Sequence, residues 1–411
     1  MVAGTSNTES LVRAGQKNYV PNYAPKPIVL DHGRGARVWD LDGNEYLDLS
    51  TGIAVNAFGH QHPELLDAFM TQGQKLWHAS NIYYVEPAVR LAEEIVEATF
   101  AEQVFFCNSG GEAIEAAIKL VRKRSSLHFP ETKREIITFE GSFHGRTLAA
   151  VTATAQPKYH EGFEPLPGGF SYCAFNDPGA IEAMISEQTC AVMVEPVQGE
   201  GGITPARQGF LGHLRSLCDK HDALLVFDEI QCGMSRTGKL FGYEWEPGVV
   251  PDVVTMAKAL GGGLPIGALL VGKKAAGALP FGSHGSTFGG NPVVTAVARV
   301  ALRLARSPEL QSNVVTQGER FRSSLAGLNE ELGLFKDIRG RGLMIGAELV
   351  DSYTGKAGEL LDRCTEYGLL VLVAGPDVLR LLPPLTITDE ETHTAIERLE
   401  RALRSWSAEN G

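Results

Sequence analysis

Residues 223–230 read ALLVFDEI, and residues 252–258 read DVVTMAK. Each segment is a short apolar run that leads into an ionisable side chain, Asp228 in the first and Lys258 in the second. Runs of this kind are typical of strands that are buried on both faces of a parallel sheet. Because ligand sites in such sheets lie at the carboxyl ends of the strands, we expect Asp228 and Lys258 to meet at that edge.

Four further runs extend the pattern: QVFFC (103–107), EIITF (135–139), CAVMVEP (190–196) and GALLVG (267–272), with helical patterns between them. This alternation predicts an α/β fold with a mostly parallel sheet covered on both faces. After Asn291 the pattern changes to amphipathic helices at 297–306 and 390–406, with short strands at 342–349 (GLMIGAEL) and 369–373 (LLVLV). We therefore expect a large domain at residues 76–295, a smaller α+β domain at 296–411, and an N-terminal segment at 1–75 that joins the smaller domain.

The composition excludes several classes of protein. The chain has 411 residues, 44% apolar and 21% charged, which is typical of a folded globular protein. A net charge of -12 without a basic stripe argues against a nucleic-acid partner. The first twenty residues contain no apolar signal region and no uninterrupted apolar segment is long enough to span a membrane, so we expect a cytoplasmic protein. Six scattered cysteines without metal-ligand spacing indicate reduced thiols and no metal site.

Lys258 and Asp228 are more informative together than apart. Lys258 alone could be a surface residue at the start of a loop, and Asp228 alone could cap the next helix. A lysine at the end of a buried strand is partly desolvated, which lowers its pKa and makes its amine nucleophilic toward an aldehyde. A pyridoxal ring needs such an amine, together with a carboxylate that keeps the ring nitrogen protonated. The pair therefore points to pyridoxal 5'-phosphate.

Two segments could complete such a site. Residues 108–112 read NSGGE between a predicted strand and a helix, and both the glycines and the helix start favour a bound phosphate. A glycine turn before a helix is common, so this signal is weak by itself. Phe143 and Arg146, in FHGR, offer a ring for stacking and a guanidinium for a carboxylate. The alternative is a packed Phe beside a surface Arg.

Six motifs occur in the order typical of class III aminotransferases. They are NSGGEA (108–113), SFHGRT (142–147), VEPVQGEGG (194–202), LLVFDEIQCGMSRTG (224–238), MAKALGGGLPIGA (256–268) and GSHGSTFGGNP (282–292). The resemblance runs from Tyr23 to the C-terminal helix and is greatest to the acetylornithine and succinylornithine aminotransferases. It implies a fold-type I homodimer with shared active sites, in which a mostly parallel seven-stranded sheet lies between helices.

The resemblance also assigns roles in holding the cofactor. Lys258 would carry it as a Schiff base and later move the substrate proton. Asp228 would pair with the pyridinium nitrogen, Gln231 would reach the phenolic oxygen, and Phe143 would stack on the ring. The phosphate would be bound by Ser109, Gly110 and Gly111, joined by Thr287 of the facing subunit.

Five other positions match residues that meet the substrate. Arg146 would hold the substrate carboxylate, Ser286 would contact the substrate from the facing subunit, and Tyr23 would lie near the entrance. Glu200 and Arg380 match a pair that works as a switch. Glutamate brings a second carboxylate that needs a cation, whereas the amine donor does not favour an unpaired buried charge. Arg380 would therefore close onto Glu200 for one substrate and open for the other.

One position departs from the family pattern. Ile114 stands where the family usually has Asn, directly after NSGGEA. An Asn would help to fix the helix start, so its loss puts local hydrogen bonding and cofactor affinity in question. Since Lys258, Asp228 and the phosphate glycines are present, the catalytic interpretation stands.

The expected reaction moves the terminal amino group of N2-acetyl-L-ornithine to 2-oxoglutarate by a ping-pong mechanism, as in arginine biosynthesis. The products would be N-acetyl-L-glutamate 5-semialdehyde and L-glutamate. Succinylornithine in arginine catabolism, ornithine and 4-aminobutyrate stay open as alternative donors, although LWHASNIYY (76–84) and Tyr23 resemble the acetylornithine branch more closely. Glu200 with Arg380 argues against an aminomutase or decarboxylase. The presence of Lys258 and Asp228 argues against a catalytically inactive binding protein.

Overall fold

The computed structural model describes residues 7–410. Its helices are α1 (Asn7–Asn18), α2 (Thr51–Ala54), α3 (Pro63–Gly73), α4 (Glu86–Ala98), α5 (Gly110–His128), α6 (Leu148–Ala153), α7 (Pro178–Met184), α8 (Phe210–Lys220), α9 (Pro292–Ala305), α10 (Pro308–Leu332), α11 (Ala357–Glu366) and α12 (Asp389–Asn410). Its strands are β1 (Leu30–Arg34), β2 (Arg37–Asp40), β3 (Glu45–Asp48), β4 (Gln103–Cys107), β5 (Glu135–Phe139), β6 (Phe170–Cys173), β7 (Thr189–Val194), β8 (Val197–Gln198), β9 (Thr204–Pro205), β10 (Leu224–Asp228), β11 (Val253–Met256), β12 (Gly267–Val271), β13 (Phe335–Arg341), β14 (Met344–Leu349), β15 (Leu369–Leu370), β16 (Leu372–Ala374) and β17 (Val378–Leu381).

A seven-stranded sheet in the order β4-β12-β11-β10-β7-β5-β6 forms the centre of the fold. β12 runs antiparallel to both of its neighbours, and the other pairings in the sheet are parallel. The predicted α/β fold with a mostly parallel sheet is therefore confirmed. The apolar runs did not reveal β6, an edge strand that reads FSYC and is only partly buried.

The central strand β10 is covered on both faces. Leu224 and Val226 belong to an apolar cluster that includes the inner face of α5, whereas Leu225 and Phe227 belong to a second cluster that includes α8. This alternation is the period of two that a strand imposes on its side chains. Burial on both faces holds the strand rigidly, so that Asp228 at its end has a fixed position.

The C-terminal region builds the antiparallel sheet β13-β14-β17-β16, and the N-terminal strands β1, β2 and β3 form another sheet with β15. The prediction of one strand at 369–373 was wrong. Leu369 and Leu370 pair with β3, while β16 pairs with β17, so the chain changes sheets near Val371. All five side chains are apolar, and hydrophobicity therefore could not mark the break. β17 places Arg380 opposite Gly346 of β14.

The predicted C-terminal helices are both present. α9 begins earlier than predicted because the Asn291 side chain accepts a hydrogen bond from the N–H of Val293 and Pro292 occupies the first helical position. The domain boundaries after residues 75 and 295 stay a prediction, and residues 1–6 and 411 of those segments lie outside the described part. Between residues 7 and 410, no helix has both the length and the apolar character needed to cross a bilayer.

Candidate active site

A cavity of about 420 Å³ opens at the carboxyl edge of the large sheet. Both Asp228 and Lys258 line it, so the structure brings together the two residues that the strand pattern predicted there. Other predicted site residues in its wall are Ser109, Gly110, Gly111, Phe143, Glu200 and Gln231. Pockets of roughly 300–1,000 Å³ are typical for small ligands and cofactors.

Asp228 is buried, and both of its carboxylate oxygens are engaged. Oδ1 accepts hydrogen bonds from the backbone N–H of Ile230 at 3.1 Å and the hydroxyl of Thr255 at 3.2 Å. Oδ2 lies 2.7 Å from Nδ1 of His144. The carboxylate therefore has one orientation, set by three different elements.

His144 and Glu195 are site residues that the sequence interpretation missed. Burial by itself lowers the pKa of His144, but the hydrogen bond to Asp228 and the negative charges of Asp228 and Glu195 together outweigh it, so the net shift of the pKa is upward. The Nε2 atom of His144 is buried and has no partner among the described residues. Burial raises the pKa of Glu195 to about 7, while its oxygens accept from the N–H groups of Phe143 and Gly199. Both residues lie in motifs quoted above, SFHGRT and VEPVQGEGG, which is the only signal that could have drawn attention to them.

Lys258 follows β11 at the start of a 3-10 turn, with a left-handed φ of 43°. Few non-glycine residues adopt this conformation, and it is found mostly where the surrounding structure enforces it. The side chain is half-buried beside the cavity. Burial, followed by the positive charge of Arg380, lowers the pKa of Lys258 to about 8. A substantial fraction of the amine is then neutral and nucleophilic in mildly alkaline solution.

The start of α5, where an anion site was predicted, lies in the wall of the cavity. Gly110 and Gly111 occupy the first helical positions, where backbone N–H groups have no acceptor within the helix. The Ser109 hydroxyl accepts from the N–H of Glu112 at 3.2 Å. A β-carbon on Gly267 would lie 2.3 Å from the carbonyl oxygen of Ser109, so the close approach of β12 to this turn requires glycine.

Ile114 does not disturb this helix start. Its side chain is 0% exposed and packs in the apolar cluster beneath α5. The start is closed by Ser109 and by the carboxylate of Glu112, which accepts from the backbone N–H and side-chain amide of Asn108. The hydrogen bonding that was in question is therefore made by other residues.

Glu200 and Arg380 form an ion pair at the edge of the cavity. Nη1 of Arg380 lies 2.7 Å from Oε1 of Glu200, and Arg380 is only 3% exposed. Glu200 lines the cavity, whereas Arg380 is not among its lining residues. The carboxylate thus covers the cation in this conformation.

The sequence profile of the family described as Aminotransferase class-III matches residues 19–403. The chain belongs to the class-III aminotransferases. It is 58% identical over 395 residues to the acetylornithine aminotransferase of Xanthomonas campestris pv. campestris, covering 95% of this chain and 97% of that protein. It is 50% identical over 390 residues to the succinylornithine transaminase of Yersinia pseudotuberculosis, with coverage of 93% and 94%. The crystal structure of N-acetylornithine aminotransferase from Stenotrophomonas maltophilia superposes with a TM-score of 0.85 at 49% identity, with coverage of 97% and 100%. The predicted resemblance is confirmed, and the protein is a transaminase.

Besides Arg380, four residues predicted to meet substrate or phosphate in this class-III aminotransferase do not line the cavity of the single chain. Arg146 and Thr287 are exposed, and Tyr23 is 83% exposed. The hydroxyl of Ser286 accepts a hydrogen bond from the side-chain amide of Asn108, which itself lines the cavity. Within residues 7–410, no three His, Cys, Asp or Glu side chains are grouped to hold a metal ion.

Proposed function

We propose that this transaminase moves the terminal amino group of N2-acetyl-L-ornithine to 2-oxoglutarate, with pyridoxal 5'-phosphate as its cofactor. The products are N-acetyl-L-glutamate 5-semialdehyde and L-glutamate, as in arginine biosynthesis. The observation that carries the proposal is one cavity lined by a lysine of lowered pKa, a fixed carboxylate and a helix start. The donor is chosen because a relative at 58% identity is named an acetylornithine aminotransferase. Succinylornithine is the second candidate donor, supported by a relative at 50% identity.

The chemical groups in the cavity fit this cofactor. The N–H groups of Gly110 and Gly111 suit a phosphate, and the carboxylate of Asp228 suits a protonated ring nitrogen. Gln231 is buried with its Oε1 unpaired among the described residues, so a polar atom in the cavity could bind its side-chain amide. A β-carbon on Gly199 would lie 2.3 Å from that Oε1, which shows how closely the chain surrounds the amide. When bound, pyridoxal phosphate supplies an electron sink for a carbanion.

Lys258 performs the proton chemistry in this proposal. Its neutral amine would hold the cofactor aldehyde, and when the amine is free it would take a proton from the substrate carbon that bears the amino group. Because burial favours the neutral amine, the same side chain acts as base and then returns the proton as acid. Asp228 holds the positive charge of the ring nitrogen, and His144 orients Asp228. The half-buried ring of Phe143 lines the same cavity and provides a surface for stacking.

Substrate recognition is assigned to charged groups around the cavity. Arg146 binds a substrate carboxylate, and Tyr23 lies at the entrance. The second carboxylate of glutamate or 2-oxoglutarate binds Arg380 after Glu200 has moved away. The acylated donor instead meets the closed pair, in which the charge of Arg380 is neutralised.

We also propose a homodimer in which the partner subunit completes the site with Ser286 and Thr287. Segments 76–84 and 281–288 lie together, because Asn81 donates to the carbonyl oxygens of Ser286 and Gly289 and the His78 and Phe288 rings are 5.2 Å apart. These segments expose the following large apolar side chains, which we call the aromatic patch: Leu76, Trp77, Ile82, Tyr83, Tyr84, Phe281 and Phe288. Large contiguous apolar patches commonly mark protein interfaces.

The proposed compartment is the cytoplasm. All six cysteines are buried free thiols, which fits a reducing environment.

Borohydride reduction tests the central assignment. We expect the purified protein to be yellow and, after reduction, to carry the cofactor covalently on Lys258, identified by peptide mass spectrometry. Lys258→Ala should abolish the covalent link and keep some non-covalent binding. Attachment to another lysine would refute the assignment. A panel of acetylornithine, succinylornithine, ornithine and 4-aminobutyrate with 2-oxoglutarate, compared by kcat/KM, then identifies the donor.

A further inference from the structure

The guanidinium of Arg146 lies over two aromatic rings. Its Cζ lies 4.1 Å from the centroid of the Tyr159 ring and 5.4 Å from that of Phe143. The two rings meet edge to face, with centroids 5.8 Å apart and planes at 80°. Among residues 7–410, no carboxylate forms an ion pair with Arg146. The exposed guanidinium is therefore stacked on aromatic rings and has no anionic partner between residues 7 and 410.

This arrangement leaves the binding groups of the guanidinium free. The five N–H donors of arginine lie in the plane of the group and match a carboxylate along its edge. A ring over the face attracts the cation without competing for those donors. A long exposed arginine otherwise loses considerable rotamer freedom when it binds, so stacking reduces the entropy lost on substrate binding.

Tyr159 belongs to a turn that is tied to the segment carrying Phe143. The backbone N–H of Tyr159 donates to the carbonyl oxygen of Gln156 at 3.0 Å. The side-chain amide of Gln156 in turn donates to the carbonyl oxygen of Ser142 at 2.9 Å. Ser142 also accepts, through its hydroxyl, from the backbone N–H of Ala155 at 3.2 Å. The turn that carries Tyr159 is thus tied to the segment that carries Phe143, and the two rings meet edge to face.

We propose that Tyr159 is a positioning residue that fixes the Arg146 guanidinium for the carboxylate beside the acylated nitrogen of the amine donor. This inference rests on the proposed function, in which Arg146 binds that carboxylate. The ring performs the role and the hydroxyl does not, because the Tyr159 hydroxyl has no hydrogen-bond partner among the described residues. Phe at this position should therefore replace Tyr, and an aliphatic residue should not.

Two matched amines separate this role from a general loss of structure. N2-acetyl-L-ornithine carries the carboxylate, and N-acetylputrescine is the same molecule without it. In Tyr159→Leu, kcat/KM for N2-acetylornithine should fall by roughly 2- to 30-fold, the range of a cation–π contact, mainly through KM. The value for N-acetylputrescine should stay unchanged. Tyr159→Phe should behave like the parent enzyme with both amines, as should Lys158→Met, which removes the other cation near the ring.

A binding measurement gives a second readout that does not depend on turnover. N2-acetyl-L-norvaline keeps the carboxylate and lacks the reactive amine, so calorimetry on the holoenzyme measures recognition alone. Its Kd should rise in Tyr159→Leu by the same factor as KM. The visible absorption band of the bound cofactor should not move, which checks that Phe143 has kept its place.

Arg146→Met distinguishes failure of this inference from failure of the proposed function. If Arg146→Met removes the preference for N2-acetylornithine over N-acetylputrescine and Tyr159→Leu does not, Tyr159 is not a positioning residue. Equal losses with both amines in Tyr159→Leu would also overturn the inference. If Arg146→Met leaves the preference intact, the proposed role of Arg146 is itself wrong.

Discussion

The ion pair between Arg380 and Glu200 offers a direct test of how one cavity accepts two substrates. The cation is 3% exposed and lies 2.7 Å from a carboxylate that lines the cavity. A substrate with a second carboxylate must displace Glu200 to reach Arg380, whereas an acylated donor binds while Arg380 stays paired with Glu200. Arg380→Ala should therefore slow the glutamate half-reaction far more than the acylornithine half-reaction.

The size of the effect follows from the burial of the two groups. Removal of one partner from a buried charge pair in an interface costs about 2 to 5 kcal/mol. The Glu200 side chain is 23% exposed, so water already solvates part of the pair, and we expect the lower part of that range. About 2 to 3 kcal/mol corresponds to a loss of roughly 30- to 160-fold in kcat/KM for glutamate.

Glu200→Ala should act in the opposite sense. It leaves Arg380 permanently available, so glutamate should react at least as well as before. The acylated donor would meet an uncompensated buried cation and should lose efficiency. As a control, Arg299→Ala breaks a 2.7 Å pair with Glu94 that does not line the active-site cavity and should leave both half-reactions unchanged.

The assay follows each half-reaction separately in single turnovers, through the change in absorbance between the aldehyde and amine forms of the cofactor. Substrate concentration is varied so that kcat/KM is obtained for each direction. Equal losses for both substrates in Arg380→Ala and Glu200→Ala would refute the switch and leave the pair with a structural role.

Three further predictions test other parts of the site. Asp228→Asn keeps the shape of the side chain but removes its charge at the ring nitrogen, so turnover should fall on the order of 100-fold or more. Turnover close to that of the parent enzyme would show that the carboxylate has only a structural role. In cofactor-free protein, Arg380→Ala should raise the Lys258 pKa above its value of about 8 and Glu200→Ala should lower it, because the first removes a cation and the second an anion. The pH midpoint of cofactor reattachment measures this shift, and movement in the opposite directions would contradict it. Ile114→Asn restores the usual family residue but places an amide in an apolar cluster, so the free energy of unfolding should fall by about 1 to 3 kcal/mol. Denaturant titration measures this change. An unchanged free energy of unfolding would show that the amide finds a hydrogen-bond partner there.

The sequence was sufficient to predict how the cavity is built at its centre. Asp228 and Lys258 follow runs that are apolar on both faces, and only a strand buried between two layers needs that composition. Once both runs belong to one parallel sheet, their ends must meet at the same edge. The prediction therefore depended on one physical constraint, the burial of a strand on both faces, which a short stretch of sequence is enough to show.

Other features had no such local signal. The run at 369–373 is uniformly apolar, yet Leu370 pairs with Asp48 in one sheet and Leu372 with Arg380 in another. The choice between two sheets depends on neighbours that are distant in sequence. For Ser286 and Thr287 the family resemblance supplied roles in a partner subunit, and for Tyr23 a place near the substrate entrance; no pattern within one chain predicts a contact between two chains.

The cluster of His144, Asp228 and Glu195 is the clearest example of side-chain contacts that the sequence pattern does not predict. His144 and Asp228 are far apart in the chain, and only the fold brings Nδ1 to 2.7 Å from Oδ2. Once the groups are buried together, the hydrogen bond to Asp228 helps to raise the pKa of His144 against burial. Burial raises the pKa of Glu195 to about 7, the charge of His144 opposes that rise, and the charge of Asp228 adds to it. The Asp228 carboxylate therefore faces a buried imidazole and is not left as an isolated polar group in the interior. The surroundings of Asp228 are thus set by residues that only the folded chain brings into one buried volume.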